Sequence, residues 1–254
     1  MTMTSKILGT VSATLLALTT CTQAQVVGGM NVKFEKQFDA GKFEDCAYNA
    51  EGMLENDKYK DDPEIMLWCA MCWYEISQMN DAKKKEEYPK ALADAMKYTA
   101  KFRKKDKDGM MASDNKDFLD NLKKAVIAES APYLDDEKKR RIAVTNYKAL
   151  NKAVPEDNAV LFMKGVGELM ARNVGEADKN LKDAMTGLAK DFSNPKYKIG
   201  KVSGPLLQDA MSRYAELLAG TGSQDSARKT MDWAIKFFPD NEALKTKAAN
   251  LGKK

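Results

Sequence analysis

Histidine is missing from all 254 residues of this chain. That absence removes Ser-His-Asp and Cys-His catalysis, histidine-bearing zinc sites and imidazole proton relays near neutral pH. Helix breakers are scarce, with 7 Pro and 15 Gly. Val, Ile and Thr are few and rarely alternate, which disfavours strands. Charge of one sign is lacking too: 41 basic against 37 acidic residues leave a formal charge of +4. That is too balanced for the electrostatic footprint of a nucleic-acid binder. No run approaches the roughly 18 apolar residues of a membrane span.

What is present is a helix-forming mix at 44% hydrophobic and 31% charged residues, rich in Ala, Lys, Leu, Met, Asp and Glu. The N-terminus has the pattern of an export signal. Lys6 supplies a positive start, Ile7 to Leu18 an apolar stretch of 12 residues, and Thr22-Gln23-Ala24 small residues around a cleavage point. The expected division is a signal peptide over 1–24 and a helical repeat domain over 25–254. Export to the periplasm or the exterior follows, with no transmembrane segment in the mature chain. Leu18-Thr19-Thr20-Cys21 is the alternative, a lipidation box that would make the chain an outer-membrane lipoprotein. Thr20 is a poor neighbour for a lipidated cysteine.

Cleavage after Ala24 leaves Cys46, Cys69 and Cys72, an odd number that cannot all pair within one chain. Cys69 and Cys72 have the spacing of a redox or metal pair. They lie beside Trp68 and Trp73 in a helical, apolar segment, and no second pair completes a zinc site. Buried core thiols are the expectation. A disulfide from Cys46 to Cys69 or to Cys72 is the alternative in an oxidising compartment.

Internal repetition carries the fold. Ala143, Tyr147, Leu150 and Pro155 are spaced by four, three and five, and Ala227, Met231, Ala234 and Pro239 repeat those spacings. Ala177, Leu181 and Ala184 begin 34 residues after Ala143. Cys46, Ala50 and Met53, and more weakly Ala91, Ala95 and Tyr98, add further copies. Steps of four and three keep one helical face, and the small first member lets a partner helix approach closely. The preceding segments share a second pattern: Met66, Cys69, Ala70 and Trp73 match Met211, Tyr214, Ala215 and Leu218. Together these residues resemble the tetratricopeptide repeat family, whose unit is a 34-residue helix–turn–helix. The resemblance covers roughly residues 31–250. It implies an all-α, right-handed α-solenoid of about five helix pairs with a capping helix near Asn241 to Leu251. Lys164 and Glu168 fall where that pattern wants apolar residues, and 77–109 and 186–208 break its regularity.

Other constellations read as structure. The stretch Lys101 to Lys107 is expected to be a solvated helix end, and Lys138 to Arg141 basic surface after an acidic helix start at Asp135 to Glu137. Asp106, Asp108 and Gly109 miss the EF-hand template and read as a polar turn. Gly165-Val166-Gly167 has no preceding strand and is no dinucleotide fingerprint. No catalytic residue, cofactor or metal is expected.

The resemblance implies protein or peptide binding in a concave groove lined by the stacked first helices, and with the export signal the expectation is a non-enzymatic scaffold of the bacterial cell envelope. Phe162, Val166 and Leu169 are the expected groove residues. The alternative is a small-molecule or glycan binder that uses Trp68, Trp73 or Trp233 as stacking platforms. Exposed tryptophans would favour it and buried ones would count against it.

Overall fold

The computed structural model describes residues 32–251. The export signal expected over 1–24 and the lipidation alternative at Cys21 fall outside them. Among the described residues there are thirteen helices and no strand, and 77% of these residues are helical.

The helices are α1 (Val32–Asp39), α2 (Phe43–Leu54), α3 (Pro63–Gln78), α4 (Ala82–Glu87), α5 (Ala91–Lys105), α6 (Met110–Asp114), α7 (Lys116–Asp135), α8 (Arg140–Ala153), α9 (Asn158–Met170), α10 (Val174–Ser193), α11 (Ser203–Gly220), α12 (Gln224–Phe237) and α13 (Glu242–Asn250). They pack as neighbouring pairs: α1 with α2, α3 with α5, α7 with α8, α9 with α10, and α11 with α12. Contacts of α2 with α3, α5 with α8, α8 with α9 and α9 with α11 join one pair to the next. The last helix, α13, packs on α12, burying only Leu244.

Local chemistry sets the starts of these helices. Asp62 accepts from the N–H groups of Glu64 (2.9 Å) and Ile65 (3.4 Å), with Pro63 at the first helical position. Asp157 caps α9 in the same way through Ala159 (3.0 Å) and Val160 (3.2 Å).

The first helices of three pairs end in one shared turn. In α9 the N–H of Asn173 donates to the Glu168 carbonyl at 2.9 Å and that of Arg172 to Leu169 at 3.0 Å. This double bond needs a left-handed residue at its centre. That residue is Arg172, at φ 64°; its counterparts after α1 and α11 are Gly41, at φ 68°, and Gly222, at φ 84°. Five residues later come Cys46, Ala177 and Ala227, the small members of the repeated run. All three are fully buried, as is Ala143, so the recurring spacing is the packed face of the second helices.

Two charged stretches fall differently from each other. Arg103, Lys104 and Lys105 form the last turn of α5, as the helix-end reading expects. The acidic helix start at Asp135 to Glu137 is corrected: α7 ends at Asp135, a turn follows, and α8 opens at Arg140. The physical reason is Arg140 itself. Its Nε donates to the Leu134 carbonyl at 2.8 Å and its guanidinium to the Met170 carbonyl at 3.0 Å, so it closes the C-terminal ends of α7 and α9 together.

Candidate functional site

The expected groove residues Phe162 and Val166 are fully buried, and Leu169 is half-buried against the core. They therefore have little or no surface to offer a partner. The physical reason is that α8, α10 and α11 pack around α9, so it buries far more than one stripe. Even Glu168 is fully buried. Its carboxylate accepts from Asn180 Nδ2, and Lys148 Nζ lies 3.5 Å away, which is how a charged residue occupies an expected apolar position.

An open groove does exist one layer outward. The second helices α5 and α8 pack directly, whereas α10 and α12 stand apart along their backbones. The space between them measures about 480 Å³. Leu181, Met185 and Ala189 of α10, Trp233 of α12 and Tyr214 of α11 line it. Phe162 meets Tyr214 edge-on at 5.7 Å and so supports the floor from behind. Beside the groove Phe192 of α10 stacks on Phe237 of α12 at 3.9 Å, with Trp233 against Phe237 at 5.4 Å.

A second cavity, about 550 Å³, is lined mostly by residues with charged or polar side chains. At its base Lys123 of α7 donates to Asp157 at 2.7 Å and to Ser203 Oγ at 2.9 Å, and lies 3.1 Å from Asp120. Ser203 in turn donates to Asp157 at 2.6 Å. Burial works against the Lys123 charge, but the two carboxylates outweigh it and hold its pKa above the ordinary value. The Lys123–Asp157–Ser203 cluster joins α7, the start of α9 and the start of α11. On the wall Arg103 pairs with Glu156 at 2.7 Å and Asp106 at 3.2 Å, while Lys116 pairs with Asp120 at the rim. The Asp106 carboxylate also accepts from the N–H groups of Met111 (3.3 Å) and Ala112 (2.8 Å), which forms the polar turn expected there.

No known protein family, curated protein or solved structure matches this chain. Its own side chains are therefore the guide to what it does.

The remaining candidates divide by burial. Cys46, Cys69 and Cys72 are free thiols within the core. Burial pushes the Cys69 and Cys72 thiols far above their usual range, so neither is a ready thiolate. Trp68 and Trp73 are buried, which counts against them as stacking platforms. Trp73 is further engaged, its Nε1 donating to Glu51 at 2.9 Å. Trp233, in contrast, lines the groove between α10 and α12. The sequence reading missed Lys123, Ser203 and Tyr197, which all line the polar cavity. Its one usable signal was the irregular stretch 186–208, which contains both Tyr197 and Ser203.

Proposed function

We propose that this chain is a non-enzymatic scaffold of the bacterial cell envelope, built as a right-handed solenoid of tetratricopeptide type, that binds a protein or peptide. The observation that carries the reading is the groove between α10 and α12, where Trp233, Met185 and Leu181 line an open space. Grooves of this kind take apolar side chains of a peptide, with affinity drawn from a few aromatic anchors. The groove is formed by the second helices, not by the first helices that the family resemblance implies. The raised thiols support a role without catalysis. The export pattern at the N-terminus supports the location.

The test is affinity capture from an envelope extract. The intact protein is compared with a Trp233→Ser, Met185→Asp variant whose helical circular dichroism is checked first. A specific protein retained by the native chain and lost from the variant is the expected result. The same proteins on both, or none on either, would overturn the reading.

A further inference from the structure

Two helix connections far apart in sequence meet in space, each overlapping a stretch that breaks the repeat regularity. Residues 106–115, between α5 and α7, and 194–202, between α10 and α11, both contribute to the polar cavity through Gly109, Ala112, Tyr197 and Gly200. In stacked-repeat proteins, insertions gather on one face, and that face is often where binding occurs. The cavity volume of about 550 Å³ is in the range of small-ligand sites.

Its chemistry selects a class of ligand. The cations already described, Arg103, Lys116 and Lys123, are each matched by a carboxylate, and the remaining pair of lining charges, Lys198 and Asp191, also balance. A charge-balanced cleft has little net attraction for phosphate or for a basic peptide. It offers donors and acceptors side by side, and a hydroxyl satisfies both at once. Arg103 Nε is buried without an acceptor, one donor still unmet on the wall. One aromatic residue lines the space: Tyr197, whose ring packs edge-to-face with Phe192 at 5.3 Å. Its hydroxyl titrates above the usual value, first because of burial and then because Asp191 and Asp157 are near, so the ring stays neutral.

We propose that this cleft binds a neutral, polyhydroxylated ligand, a short oligosaccharide, with the Tyr197 ring stacked on a sugar face and the paired charges hydrogen-bonded to its hydroxyls. The site is separate from the α10–α12 groove and stands independently of peptide binding there.

Isothermal titration of the full chain tests this with four neutral trisaccharides, maltotriose, cellotriose, xylotriose and N,N′,N″-triacetylchitotriose, and with anionic trigalacturonate. Binding of at least one neutral sugar is expected. Tyr197→Ala should weaken it by about tenfold or more, Tyr197→Phe should retain it, and Trp233→Ser should leave it unchanged. Melting curves of all three variants exclude unfolding as the cause. Failure of all four neutral sugars, preference for trigalacturonate, or binding indifferent to Tyr197→Ala would overturn the proposal. Loss of sugar binding in Trp233→Ser would move the site to the other groove.

Discussion

At Gly165 two helices come as close as side chains allow. A Cβ placed there would lie 2.8 Å from Leu181 Cγ and 3.1 Å from the Leu181 backbone nitrogen. The obstacle is a branch carbon and main chain, which cannot swing aside as a flexible tip would. Alanine gains about 1 kcal/mol in helix propensity over glycine. Overpacking costs about 1–3 kcal/mol, so the clash prevails. Gly165→Ala should lower stability by about 1 kcal/mol, read as an earlier urea midpoint. Arg172 is the reverse case. Its left-handed backbone costs a side-chain-bearing residue about 1–2 kcal/mol, and its contact with Glu137 at 3.9 Å joins two exposed side chains and contributes little. Arg172→Gly, which copies Gly41 and Gly222, should raise the urea midpoint, by a stability gain of about 1 kcal/mol. The small residues were legible because their spacing recurs. The strain at Arg172 was not, because a left-handed conformation has no signature in an arginine.

Between elements, the buried Lys123 decides more than any local pattern. It links α7 to the capping Asp157 before α9 and to Ser203 at the start of α11, across 34 and 80 residues of sequence. Removing one partner of such a pair leaves the other charge buried without compensation, which costs about 3–5 kcal/mol. Lys123→Met should therefore destabilise the chain by that order in chemical denaturation. Lys123→Met combined with Asp157→Asn should recover part of the loss, because no lone carboxylate remains. Unchanged stability in the single variant would show the network to be incidental. Nothing in the sequence marked Lys123. A lysine in a helix looks like surface until its distant partners are known.

For the molecule as a whole, acid is the revealing stress. The Lys105 contact lowers the pKa of Asp61, Arg213 lowers that of Asp135, and Lys148 that of Glu176. Burial pushes Asp120 upward, but Lys116 and Lys123 outweigh it and the net shift is down. A carboxylate with a depressed folded pKa adds stability that is fully present above its unfolded value. That stability is lost as the pH falls through the folded value. Glu75 opposes the trend, since burial raises its pKa and its protonation favours the fold. Four groups against one set the direction. The melting temperature should hold steady down to about pH 4, near the unfolded carboxylate pKa, and fall below it. Asp120→Asn should make that acid slope shallower. A melting temperature that rises on acidification below pH 4 would contradict this ion-pair account.

The sequence by itself determined the all-helical class and the recurring small residues of the second helices. Each depends on neighbours within a turn or on a period along one chain, which is information that spacing carries. The Trp68 and Cys69 to Cys72 core was also legible, since an apolar run without helix breakers has to be buried. Tertiary structure alone decided where an open surface remains. Phe162 and Val166 carry the pattern of an exposed-groove helix, yet α8, α10 and α11 close around them. The cavities arise where α10 and α12 stand apart along their backbones and where the α5–α7 and α10–α11 connections, distant in sequence, converge. Both are properties of inter-helix spacing, and no periodicity along a single helix encodes the distance to the next.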